Sequence, residues 1–143
     1  VAVDGSDESL QAVRAGLQLL QPVERAVVVT VVEASDPSLV TGTGFASGVM
    51  SSSEFETEDA RVMAEGQTTA EAAAASLGID AELLVLRGSP GTMLCQLAEE
   101  RGARAIVMGT RGRGGLKRAL LGSVSDHVVR NAPCPVVIAR PPD

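Results

Sequence analysis

The chain has 143 residues, 45% of them hydrophobic and 1% aromatic, with a formal net charge of −6 at pH 7. That length suits one domain (1–143) around an aliphatic core of Val, Leu, Ile and Ala. No apolar run approaches the ~18 residues of a membrane span. Two cysteines, Cys95 and Cys134, are too few for a disulfide scaffold, lack metal-ligand spacing, and fit a reducing cytoplasm as small hydrophobes.

The opening Val1–Asp4 reads as a strand already in progress, so the natural N-terminus is expected upstream; no basic-then-apolar signal segment is visible. Gly5-Ser6-Asp7-Glu8 then turns into a helix with Ser6 as N-cap and Leu10, Val13, Leu17 and Leu20 on one face. Ala26–Val32 is an unbroken apolar run, as in a strand buried on both faces. The glycine- and serine-rich stretch 34–53 is expected to be a loop or lid. Ser53 and Glu56 form a capping-box pattern opening a long helix that runs to about Leu77, with Gly78 closing it.

Ala81–Leu86 is the next strand, and Arg87-Gly88-Ser89-Pro90 enters a helix packed through Met93, Leu94, Leu97 and Ala98. Gly102 ends it. Ala105–Met108 is a fourth strand, a helix covers Ser123 to Asn131, and Val136–Ala139 is a final strand after Pro133-Cys134-Pro135. Strands separated by helices predict an α/β fold: a parallel sheet with right-handed crossovers and helices on both faces.

Residues 109 to 125 carry the strongest functional signal. Gly109, Gly112, Gly114 and Gly115 follow the fourth strand, four cations (Arg111, Arg113, Lys117, Arg118) lie in the loop, and Gly122-Ser123 opens the last helix. Glycines let backbone N–H groups approach a ligand, and a helix N-terminus presents open donors with partial positive charge. The natural ligand is a polyphosphate. Gly109 and Gly122 are also candidates for positive φ. Residues 1–100 hold four basic and sixteen acidic side chains, and residues 101–143 hold eight basic and two acidic. An acidic chain with one compact basic segment suits capture of a small anion and not tracking along nucleic acid.

The spacing Gly109-x-x-Gly112, nine residues, then Gly122-Ser123 is neither the P-loop nor the dinucleotide fingerprint. Asp4, at a strand end, suits ribose hydroxyls or, equally, a solvated helix start. Val31 and Met108 by themselves read as core. His127 is the sole histidine, and no serine has a base beside it in sequence, so nothing signals an activated nucleophile. Flavin binding is disfavoured because the chain has no Tyr or Trp, and a receiver domain because the only lysine is Lys117.

With these motifs in place the chain resembles the universal stress protein family, in its ATP-binding branch. The resemblance rests on Val1-Ala2-Val3-Asp4-Gly5-Ser6, Val29-Thr30-Val31-Val32-Glu33, Gly88-Ser89-Pro90, the Met108–Ser125 glycine signature and Pro133–Ile138. It implies a five-stranded Rossmann-like parallel sheet of order 3-2-1-4-5. It further implies that Asp4 meets the ribose, that Ala2 and Val31 border the adenine, and that Met108 and Gly109 line the base and ribose. Arg111, Gly112, Gly122, Ser123, Val124 and Ser125 would hold the phosphates, with Arg113 a further contact in the family's variable loop. The implied cofactor is ATP, with AMP or ADP sharing its base and ribose contacts, and Mg2+ riding on the phosphates. A cytoplasmic homodimer through the last strand is implied, with roles in stress tolerance. The alternatives are a slow ATPase or self-phosphorylating protein using Ser123 or Ser125, and a nucleotide-free structural dimer.

Overall fold

A computed structural model of the protein describes residues 1–20, 22–33, 51–110 and 121–140. The first helix, α1 (Asp7–Gln18), starts where Ser6 accepts from the Ser9 N–H, and Asp7 and Glu8 in its first turn complement the helix dipole. Val13 and Leu17 are buried on its inner face, whereas Leu20 lies past the end of α1 and is 36% exposed. Strand β1 (Ala26–Val32) pairs in parallel with β2 (Ala81–Arg87), in a register running from Ala26↔Ala81 to Val32↔Arg87.

Between them α2 (Ser52–Leu77) opens on a capping box one step earlier than the sequence suggests: Ser51 and Glu54 make it, and Ser53 already lies within the helix. Ser51 accepts from the Glu54 N–H while the Glu54 carboxylate accepts from the Ser51 N–H at 2.7 Å. At the other end Gly78 takes φ 64, the left-handed conformation that favours glycine, and closes the helix.

Helix α3 (Pro90–Glu100) begins with Pro90, and β3 (Ile106–Gly109) follows it. Helix α4 (Ser123–Asn131) leads into β4 (Val136–Ala139), which pairs in parallel with β3 from Ile106↔Val136 to Gly109↔Ala139. Helices α1 and α2 cover one face and α3 and α4 the other, each face with its own aliphatic core. Val13, Leu17, Val28, Ala70, Ala73 and Val107 lie in the first core. Val29, Leu94, Ala98, Ile106, Met108 and Val128 form the second. Close helix–sheet approach is visible at Gly16, where an added Cβ would lie 2.7 Å from the Val107 side chain.

The expected first strand is reduced to a single bridge, Ala2↔Val29, parallel to β1. Val3 donates to Val29 O at 3.0 Å and Val29 donates to Val1 O at 2.9 Å, while Ala2 turns its N–H to Val107 O at 2.9 Å on the other side. The ladders are two parallel pairs, β1-β2 and β3-β4, with Val1–Val3 bonded to both and making one bridge. No described helix is long and apolar enough to cross a membrane.

Candidate functional site

The Val1–Val3 segment delivers Asp4 to a strand end, and the local turn then fixes its carboxylate. Asp4 Oδ1 accepts from the Ser6 backbone N–H at 3.0 Å and from Ser6 Oγ at 2.7 Å. Gly5 between them has φ 82, which lets the chain fold back over the short acidic side chain. Oδ1 is thus held twice. The second oxygen, Oδ2, is buried and has no hydrogen-bond partner among the described residues. Buried acceptors are nearly always partnered, so an orphaned carboxylate oxygen in a fixed orientation marks a place for an incoming donor.

Four of the candidate residues come together on the α3/α4 face. Met108 belongs to its buried core at 6% exposure, and Ala2, Val31 and Val124 pack against that core. The Ala2↔Val29 bridge brings the segment that ends at Asp4 alongside β1, the strand that carries Val31.

The glycine loop is clasped at its two stems. Gly109 ends β3, and the Thr110 N–H donates to Ala139 O at 3.1 Å. The Thr110 carbonyl accepts from the Gly122 N–H at 2.7 Å and from Ser125 Oγ at 2.8 Å. Ser125 is 2% exposed, and its Oγ also lies 3.0 Å from Gly122 O, so its hydroxyl hydrogen is held inside the protein. Arg111, Gly112 and Arg113 lie outside the described residues, as do Lys117, Arg118 and most of the 34–53 stretch.

Gly122 is the N-cap of α4 and supplies no side-chain cap. The first helix bond at this end runs from Asp126 N–H to Gly122 O at 2.9 Å, and the N–H groups of Ser123, Val124 and Ser125 donate to no described residue. Open donors at a helix start carry partial positive charge and accept anions. The expectation of positive φ fails at both glycines. Gly122 has φ −76 and ψ 165, an extended conformation open to any residue, and Gly109 is not among the positive-φ glycines of the described residues, which are Gly5, Gly78, Gly88 and Gly102. What these positions offer is lack of bulk.

Two further participants complete the site. Thr110 acts through its carbonyl, a group every residue carries, so no side-chain signal exists for it. The sequence marks Ser6 as an N-cap; its second task, orienting Asp4, is signalled by the Asp-x-Ser spacing of an Asx turn. Cys95 and Cys134 are half-buried beside the second core, and burial raises both thiol pKa values, with the neighbouring Cys134 adding to the rise at Cys95. Among the described residues, no group of three or more His, Cys, Asp or Glu gathers to hold a metal ion.

Parallel strands with helices on both faces place the protein among the α/β proteins. The model of the universal stress protein family matches residues 1–140. Universal stress protein YxiE of Bacillus subtilis is 35% identical over 98% of this chain and 96% of its own. Universal stress protein MJ0531 of Methanocaldococcus jannaschii is 30% identical over 99% of this chain and 81% of its own. Among solved structures, MJ0577 aligns with a TM-score of 0.70 over 99% of this chain and 96% of that one, at 21% identity. A universal stress protein in complex with cAMP aligns with a TM-score of 0.58 over 99% and 94%, at 27% identity. The chain belongs to the universal stress protein family.

Proposed function

We propose that this protein binds an adenine nucleotide, ATP foremost, as a regulatory stress-tolerance protein rather than as an enzyme that turns it over. The observation that carries this reading is the buried Oδ2 of Asp4, without a partner among the described residues, on a carboxylate whose other oxygen is fixed by Ser6. Two adjacent ribose hydroxyls are the donors such an oxygen suits. Ala2, Val31, Met108 and Gly109 would then bound the base and ribose. The amides of Ser123, Val124 and Ser125, with Gly122, Arg111, Gly112 and Arg113, would hold the phosphates, which carry Mg2+ with them. Support also comes from the fold relative solved in complex with cAMP, itself an adenine nucleotide.

In this reading Val1–Val3 is the central strand of a sheet ordered 3-2-1-4-5, two protomers meet through β4, and the protein works in the cytoplasm. Pro135 just ahead of β4 suits an edge strand, since proline donates no ladder bond. The test is to denature the purified protein, identify any released nucleotide by mass spectrometry, and titrate the emptied protein with Mg·ATP, AMP and cAMP by calorimetry. Stoichiometric binding of ATP at micromolar or tighter affinity is expected. Absence of both bound nucleotide and measurable heat rejects the reading.

A further inference from the structure

We propose that Gly91, in the first turn of α3, is a positioning residue for the open end of α4, acting through the side chain of His127. The inference rests on the nucleotide reading for its functional consequence and on geometry alone for the contact. Helices α3 and α4 pack side by side on one face of the molecule. At Gly91, which is buried, an added Cβ would lie 2.7 Å from His127 Cδ2, 2.8 Å from Cγ and 2.9 Å from Cβ. Real Cβ atoms do not approach that closely. Rotating the imidazole relieves the first two contacts, but His127 Cβ is fixed to the α4 backbone, so the two helices must part and α4 shifts relative to α3.

Where it moves matters. His127 lies four residues after Ser123 and three after Val124, so it shares a helical face with the turn that carries the unpartnered amides. That turn is seated from two sides. The Thr110 carbonyl holds Gly122 and Ser125, and the absent side chain at Gly91 admits His127 against α3. Helix α4 spans nine residues, and His127 lies one turn from its start, so a displacement at His127 reaches the first turn directly. Ligands held by fixed dipoles lose affinity when those dipoles shift by fractions of an ångström. Helix propensity alone favours alanine over glycine inside a helix, so intrinsic helicity predicts the opposite sign for Gly91→Ala.

The experiment uses the whole chain and three variants: Gly91→Ala, His127→Gly and the double change. Affinity for Mg·ATP is compared with affinity for adenosine, which has no phosphates to meet α4. Amide exchange at Gly122 and Asp126, the hydrogen-bonded amides at the head of α4, is followed in parallel on the ligand-free protein. Gly91→Ala is expected to weaken ATP about tenfold, to leave adenosine within about twofold, and to speed exchange in the first turn of α4. His127→Gly in the Gly91→Ala background removes the obstructing Cβ together with the ring and is expected to recover most of both losses. If Gly91→Ala does not fold, recovery of a folded protein by the double change supports the contact.

Three results overturn the proposal: unchanged exchange at Gly122 and Asp126 in Gly91→Ala, an equal loss for ATP and adenosine, or a loss that His127→Gly does not relieve. If the unmodified protein binds neither ATP nor adenosine, the nucleotide reading fails by itself. The exchange data then still decide whether Gly91 seats α4.

Discussion

The hydroxyl of Ser125 donates to the carbonyl of Thr110 at 2.8 Å, across the fifteen positions that separate the end of β3 from the first turn of α4. With the Gly122 N–H on the same carbonyl at 2.7 Å, it closes the glycine-rich loop at its base. Ser125→Ala is therefore expected to act on stability as well as on ligand binding. Removing one buried hydrogen bond costs about 1–2 kcal/mol, and Thr110 O keeps its Gly122 partner. Urea unfolding measures this; a loss below about 0.3 kcal/mol would show that the Ser125 bond adds nothing to the clasp.

Asp4→Asn keeps an acceptor for Ser6 but turns the buried second position into an NH2 donor. The native orphan is an acceptor, so a ligand presenting hydroxyl donors meets the wrong partner. Loss of a charge-assisted bond predicts a drop of about tenfold to a hundredfold in ATP affinity. Calorimetric titration checks it, and unaltered affinity removes Asp4 from the site.

Gly122 sits at φ −76, so a side chain there strains no backbone. Gly122→Val should fold, with a stability loss of about 1 kcal/mol or less at a position where valine is a poor N-cap. Its effect should instead fall on phosphate approach, weakening ATP by about a hundredfold, which corresponds to roughly 3 kcal/mol. Melting curves and titration separate the two effects. A large fall in melting temperature with intact affinity in the folded fraction would reverse this assignment.

Thr30 is 6% exposed on β1, and its hydroxyl oxygen is buried without a partner among the described residues. Valine has nearly the same shape without the stranded polar group. Thr30→Val is expected to stabilise the protein by about 1 kcal/mol, since burying an unpaired hydroxyl carries a penalty of that order. Unfolding in urea reads it directly, and a destabilised variant means that the hydroxyl has found a donor.

Burial raises the pKa of both Cys95 and Cys134, so their thiolates are scarce near neutral pH. Alkylation by iodoacetamide at pH 7 should be markedly slower in the folded protein than in urea. The sign for stability follows from the same shift. The unfolded thiols lose protons first, so the contribution of these groups is intact below about pH 8 and declines as pH rises through the ordinary thiol range towards the raised folded value. Equal labelling rates in folded and unfolded protein contradict the burial assigned to both.

Much of the fold is legible because helix ends announce themselves. Ser6, Gly78 and Pro90 stand where the sequence sets them, each through a local property that no tertiary contact needs to supply. The start of α2 shows where locality runs out. In the run Ser51-Ser52-Ser53 both Ser51/Glu54 and Ser53/Glu56 fit the same capping pattern, and only the chain's actual path selects the earlier pair. Spacing likewise marks Gly122-Ser123 as a helix start, but it does not show the Thr110 carbonyl that holds it. Nor does it show that Gly91 is small to admit His127, a contact between residues 36 positions apart. Main-chain partners and the space left by missing side chains carry no signature in composition.

The short segment ahead of Asp4 has a mechanical meaning. Val3 is bonded to Val29 in one sheet and Ala2 to Val107 in the other, so a few peptide units stitch two parallel pairs together. Tension drawn along that segment loads the stitches in shear and simultaneously, rather than peeling them one by one. The β1-β2 and β3-β4 pairs would part only after those bonds yield together, which makes a three-residue piece of chain the rivet of the molecule.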